Sequence, residues 1–501
     1  MAGITGVGSG LPIDTIIKAM VDAERAPKTK QLDNLNTKTE NQFSAIGTLR
    51  SATSTFQTAL ANLNKASLYQ SRTASFSTSG FMTASTATTA PAGKYSLQVQ
   101  QLAVGSKVAL KSFVEPVATE GGPAVTPNTF SAGKLTLYAG DPADTGTRRL
   151  ELNIDATNNT QAGIRDAINE QGASLGFSAS LVTDASGTRL VVSSSNMGDG
   201  KDLRMQVSDQ AAVGVGEVDL SDLAFSPVPT DPLDPAAGFV APDSSASGGA
   251  AGVISQARSA RLTVDGLQVV RDSNSIDKVI EGVTLNLTKA DATQTIDLTV
   301  GTDKSSVRTS LQQFVSAYNA MTTAMGSLSA VVPIGEGVKP STGPLVGDAA
   351  VRALQSGIRG EISKMQSGGG IAALAQLGIT TQKDGSLALD TTKLDAALNG
   401  NFDGVAEYLV GDTGLMKRLD NVVAGYTKTG GVFDQRQAGL RTTLNSIVDQ
   451  RKSLDERILK LEDRLVAQYT AMDMLVSKLN STSSWLSGQL ANLPGVVTNK
   501  K

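Results

Sequence analysis

The sequence predicts an α+β, multidomain chain: long terminal coiled-coil helices forming a stalk, with nested inserted β-rich head domains. Three observations carry that prediction. Apolar residues recur at heptad spacing near both ends of the 501-residue chain, the period shortens to two through the middle, and a proline-rich stretch interrupts that middle.

The chain opens on a glycine-rich segment, Gly6-Val7-Gly8-Ser9-Gly10, with no preceding strand and no following Lys-Ser/Thr, so a phosphate cradle is not expected. Pro12 sits at a helix start, which proline favours. Ile13, Ile16, Ile17 and Met20 mark one apolar face, and Pro27 is expected to end or kink this helix. A second run then takes heptad steps through Leu32, Leu35, Thr39, Gln42, Ile46, Leu49, Thr53, Phe56, Leu60 and Leu63. At about 1.5 Å per residue it spans about 48 Å.

The middle of the chain alternates. Tyr95, Leu97 and Val99 are interleaved with polar residues, and Leu135, Leu137, Leu150, Leu152, Ile154, Leu190 and Val192 continue the pattern. Leu262, Val264, the stretch 283–287, and Ile296, Leu298 and Val300 complete it, as half-buried strands require. One short helix is expected at Gln161–Glu170, with Thr160 as its cap. The proline-rich stretch 226–252 reads as a loop. Helical spacing returns at Val307, Leu311, Phe314, Val315, Tyr318 and Met321, followed by a loop from Gly326 to Pro344 and a helix near Ala349–Ile362.

The C-terminal run is the longest. It reads Leu440, Leu444, Ile447, Arg451, Leu454, Ile458, Leu461, Leu465, Gln468, Met472, Leu475, Leu479, Thr482 and Leu486, about 70 Å of helix. Gly439 weakens its start, and Ser481–Ser484 with Gly488 suggest fraying. Arg451 and Gln468 interrupt the seam as register-setting residues do. The expected coiled-coil and oligomer interface is therefore Leu32, Leu35, Ile46, Leu49, Phe56, Leu60, Leu63, Leu440, Leu444, Ile447, Leu454, Ile458, Leu461, Leu465, Met472, Leu475, Leu479 and Leu486. The simpler alternative is two long helices packed within one monomer.

Strands enclosed by helical ends imply inserted domains. We expect an N-terminal tail and helix at 1–40, a helical leg from 41–75 plus 303–433, and a C-terminal coiled-coil helix at 434–501. Between them we place a β-rich head from 76–130 plus 255–302 and an outer β-rich head at 131–254.

Composition narrows the function classes. The chain has no cysteine and no histidine, so it lacks thiolate chemistry and the commonest general base and metal ligand. Carboxylates and lysines could still react, but the expectation is a non-enzymatic protein with no cofactor. Asp141, Asp144, Asp199 and Asp202 do not have calcium-loop spacing and read as solvated turns. A formal net charge of −3 gives no reason to expect nucleic acid, and no apolar run reaches the roughly 18 residues of a membrane span. Asp14 and Lys18 interrupt the N-terminal apolar residues, so no secretory leader is readable.

The opening Gly10-Leu11, then Asp14, an apolar helix, Glu24 and Pro27, resembles the N-terminal signature of the flagellar filament cap family, also called hook-associated protein two. Matches follow in family order at 93–95 with 101–103, at 280–285, at 343–348, and at 377–379 with 384–387, before the heptad-rich end. The resemblance covers roughly residues 1–110 and 255–490 and is weak in 115–250. It implies export without a signal peptide and a homo-oligomer of about five or six chains at the extracellular tip of the flagellum. It also implies flagellin and hook-filament junction proteins as partners, and an export chaperone on the C-terminal helix before secretion. The implied mechanism is promoting flagellin insertion and folding while preventing escape. Another axial or junction subunit, a surface adhesin using the β heads, and a secreted hydrolase are the competing readings.

Overall fold

The computed structural model describes residues 10–114, 127–231, 238–246, 249–335, 338–366 and 370–491. The chain divides into two compact units, one formed by residues 1–69 and 304–501 and the other by 70–303.

The first unit is helical. Its opening helix runs Ile13–Leu63 without a break, 51 residues with Asp14 in the first turn, where a carboxylate suits the helix dipole. Pro27 lies inside this helix and does not end it, contrary to the sequence expectation. The reason is exposure: Pro27 cannot donate to the Ala23 carbonyl, but both residues face solvent, so water can take the vacant acceptor. Helices Lys304–Leu328, Ala349–Ser363, Thr391–Gly400, Phe402–Leu409 and Leu415–Thr427 gather around its C-terminal half.

Local chemistry fixes their starts. Asp348 Oδ1 accepts from the Ala350 and Val351 amides, Asp390 Oδ1 from Thr392 and Lys393, and Asn401 Oδ1 from Gly404. The core they enclose centres on Phe56, whose ring lies 5.7 Å from that of Phe314 and 5.8 Å from that of Tyr318. Leu60, Leu63, Leu311, Leu354, Tyr408 and Leu419 complete it. The segment from Gly326 to Pro344, expected as a loop, is partly regular among its described residues. Its helix continues to Leu328, and Val331–Val332 pairs with Ser341–Thr342.

The last helix is Val432–Ala491, 60 residues. It passes through Gly439 and through Ser481–Ser484, where Ser481 and Thr482 bond back to the Ser477 and Lys478 carbonyls rather than competing for a non-helical backbone.

The second unit is antiparallel β structure around two cores. In one, the five-stranded sheet has the order Arg72–Phe76, Ile296–Thr302, Gly93–Gln101, Ala260–Val264 and Leu267–Arg271. A three-stranded sheet of Ser275–Ile280, Val283–Leu287 and Met82–Thr86 closes over it, burying Leu97, Val99, Leu262, Leu285 and Leu298. In the other, strands Leu203–Ser208, Gly133–Ala139 and Arg148–Ile154 face a sheet of Gly252–Ser255, Gly105–Phe113, Gly187–Met197 and Phe177–Asp184. Helix Gln161–Gly172 covers this core with Ile164 and Ile168, and Thr160 Oγ1 accepts the Gly163 amide at 3.0 Å.

The proline-rich stretch, among its described residues, forms no sheet interior but is tied down. Val240 bonds Val228 and Val253, and buried Arg189 donates to the Ala250 and Asp243 carbonyls. Asp141 and Asp144 are turn caps, accepting from Ala143 and Gly146. Asp202 is not a solvated turn: it is buried and accepts the Ala257 amide at 2.8 Å, and burial pushes its carboxyl up. Asp199 stays exposed, as expected, while accepting the Ser259 amide and pairing with Arg261 at 2.7 Å.

Candidate functional site

The two terminal helices run antiparallel against each other, and their far ends form the candidate site. The N-terminal half of the first helix lies beyond the many-helix core, so its apolar face has the last helix as its partner. Ile13, Ile17 and Val21 recur every fourth residue and are buried with Leu32 against Ile447, Leu454, Ile458 and Leu465. Of the face expected from sequence, Ile13 and Ile17 point inward, Ile16 is half-buried and Met20 is exposed. The inward position that the sequence reading missed is Val21; its signal was the i+4 step from Ile17.

Charges line this seam. Arg25 meets Asp455 at 2.6 Å, Arg451 meets Asp33 at 2.6 Å and Arg457 meets Glu24 at 3.7 Å. Arg50 meets Asp434 at 2.6 Å farther along. All are partly or well exposed, and such pairs each contribute on the order of 0–1 kcal/mol. Their value lies in register: each pairs one residue of the first helix with one of the last. Arg451 is thus a flanking residue rather than a buried seam residue, and Gln468 is exposed as well.

The eighteen heptad residues separate into three groups. Ile46, Leu49, Phe56, Leu60 and Leu63 are consumed by the many-helix core, and Leu440 packs against it. Leu32, Ile447, Leu454, Ile458 and Leu465 form the seam, with Leu444 and Leu461 half-buried at its rim. Leu35, Met472, Leu475, Leu479 and Leu486 remain exposed. The first two groups are satisfied within one chain. A seam leucine consumed this way is unavailable to a neighbour, which narrows the expected oligomer surface to the third group.

That surface lies past the point where the partner helix ends. Tyr469 donates its hydroxyl to Met20 Sδ at 3.5 Å, near the last turn opposed by described residues of the first helix. Beyond it Leu475 and Leu479 are each 59% exposed and Trp485 is 62% exposed, with Leu486 and Leu490 alongside. Trp485 and Leu490 were not among the sequence-predicted residues, because neither falls on the heptad register. Among the described residues, nothing covers this run of large apolar side chains. Gly10 and Leu11, at the start of the first helix, sit just before this region; Asp14 occupies the first turn and Glu24 pairs with Arg457.

Among the described residues, no group of three or more acidic side chains is placed to hold a metal ion, and no helix is long and apolar enough to cross a membrane.

Comparison with known proteins matches this architecture. The family described as flagellar hook-associated protein 2 C-terminus matches residues 257–481, and its N-terminal counterpart matches residues 9–106. The flagellin hook IN motif matches residues 134–196. The B-type flagellar hook-associated protein 2 of Pseudomonas aeruginosa is 39% identical over 99% of this chain and 98% of its own length. The flagellar hook-associated protein 2 of Escherichia coli K12 is 33% identical over 98% of this chain and 99% of its own. The crystal structure of the E. coli flagellar cap protein FliD, domains D1-D2-D3, superposes with a TM-score of 0.54 at 31% identity, covering 79% of this chain and 99% of that one.

Proposed function

The chain belongs to the flagellar hook-associated protein 2 family, and from that membership we propose that it is a subunit of the structural cap at the distal end of the bacterial flagellar filament. It acts there by binding and exclusion rather than by covalent chemistry. Copies assemble as a homo-oligomer of about five or six chains outside the cell, guide exported flagellin into place and hold back its escape. Hook-filament junction proteins are its neighbours at the start of assembly, and an export chaperone covers the C-terminal helix before secretion. Within the chain, 41–75 plus 303–433 form the leg, 1–40 and 434–501 the stalk, and 76–130 plus 255–302 and 131–254 the inner and outer heads.

The observation that carries the assembly step is the exposed apolar stretch of the last helix. Leu475, Leu479, Trp485 and Leu486 have the residue types and near-heptad spacing of a coiled-coil seam but no partner among the described residues. Copies meeting there bury surface that a single chain leaves in water. A strain lacking this protein should release unpolymerised flagellin and carry no filaments. Normal filaments on that strain would sink the proposal.

A further inference from the structure

Among the described residues, the β unit manages several of its sheet edges and leaves strand Leu267–Arg271 without such a device. Strand Ser275–Ile280 breaks its ladder between Ile276 and Ile280, where Lys278 takes a left-handed φ of 59°. Strand Phe177–Asp184 is closed by Asn169, whose side chain bonds both the amide and the carbonyl of Ala179. Strand Leu203–Ser208 exchanges two bonds with Phe225, strand Gly252–Ser255 is covered by Val240, and strand Arg148–Ile154 carries exposed Arg148, Arg149 and Glu151. Strand Leu267–Arg271 has none of these devices: no proline, no bulge and one charge, at its end.

The hairpin geometry says which groups face outward. Asp265 and Gly266, with φ of 51° and 81°, form the two-residue turn between Ala260–Val264 and Leu267–Arg271. Asp265 donates its amide to Ser96 in the strand on the other side, so odd-numbered residues of this hairpin arm face that strand. Alternation then leaves Val264, Leu262 and Ala260 bonding Leu267, Val269 and Arg271. The amides and carbonyls of Gln268 and Val270 consequently point away from the sheet. The Arg271 guanidinium reaches the Val270 carbonyl at 2.9 Å; it is an exposed, displaceable contact. Leu267 is 73% exposed and Val270 is 40% exposed, on opposite faces of the strand.

We propose that this edge pairs with the same edge of a second copy of the chain, antiparallel about a two-fold axis at Val269. The sequence is self-complementary in that register. Gln268 of each copy opposes Val270 of the other, so the outward groups of both meet as hydrogen-bonded pairs. The two Val269 residues face each other as a non-hydrogen-bonded pair, about 4.5 Å apart at Cα. Each Arg271 lies over a Leu267, which separates the like charges and covers the most exposed leucine. The five-stranded sheets of the two chains then join into one. Such an isologous contact differs from the head-to-tail contact of neighbours in a ring of five or six, so it joins chains independently of the helical surface.

The chain has no cysteine, which makes the test clean. Val269→Cys in the full-length protein, treated with diamide to oxidise two thiols to one disulfide, should give mostly cross-linked pairs. Val270→Cys, whose two copies sit diagonally, should give at least about tenfold less. Adding Gln268→Pro, which removes only an outward amide, or Val270→Lys, which places charge on the edge, should abolish the Val269→Cys product. The product should persist when Leu475→Asp and Leu479→Asp disable the helical surface, so failure of the cap reading does not mimic failure of this one. Uncross-linked Val269→Cys, or equal products from both cysteine variants, would overturn the proposal.

Discussion

Phe56 shows what a single heptad residue contributes once it is taken into the core. Its ring is fully buried and touches Phe314 and Tyr318, so Phe56→Ala deletes the contact centre of the helical unit. The expected loss is about 3–5 kcal/mol, read as a lower denaturant midpoint. Glu361 governs a different property. The Lys364 ammonium, and with it the Arg418 guanidinium, hold its carboxyl below the ordinary value of 4.5, because both favour the ionised form. A carboxyl depressed in the folded state stabilises fully above that ordinary value, and its contribution fades as pH falls through the lowered one. Glu361→Gln should therefore reduce stability at neutral pH and flatten the acid limb of a melting-temperature profile below about pH 4.5. An unchanged acid limb would count against the pairing. Neither role was legible in the sequence, since a heptad step cannot say whether Phe56 meets a neighbouring chain or its own, and ion pairs between helices far apart in sequence leave no local pattern.

At the scale of elements, periodicity conveyed more. The alternation at Tyr95–Val99, Leu135–Leu137, Leu150–Ile154 and Ile296–Val300 became strands, and Gln161–Glu170 became a helix two residues longer than expected. Strand Phe177–Asp184 was missed although Phe177, Ala179 and Leu181 alternate with Ser178 and Ser180; the small Ala179 on one face and Val182 on the other blur the pattern. Proline rules failed at Pro27 for a positional reason: the rule assumes a costly vacant carbonyl, and solvent removes part of that cost. Some strain should remain. Pro27→Ala is expected to stabilise the terminal helix pair, by no more than about 3 kcal/mol. Slower amide exchange around Ala23 to Asp33 would register the gain, and faster exchange would show that the proline helps to hold the pair. The proposed assembly surface was half legible. Met472, Leu475, Leu479 and Leu486 were named by spacing, whereas Trp485 and Leu490 required the structure to show where the first helix stops covering the last.

For the whole molecule, the division of labour follows from which apolar surfaces a single chain can satisfy. Among the described residues, the helical unit buries apolar side chains of its last helix between Leu440 and Leu465 and leaves Leu475, Leu479, Trp485 and Leu486 exposed. We propose that neighbouring chains complete this stretch. Leu475→Asp with Leu479→Asp should leave the melting temperature of the single chain nearly unchanged, because both side chains are exposed there, yet remove every species larger than an edge-paired dimer in sedimentation. We propose that this completion happens at one place, the filament end. Gold-labelling the protein on intact flagella tests this most directly. Label is expected only at distal tips, and cells carrying Leu475→Asp with Leu479→Asp should have no filaments to label; label along the shaft or at the base would contradict this.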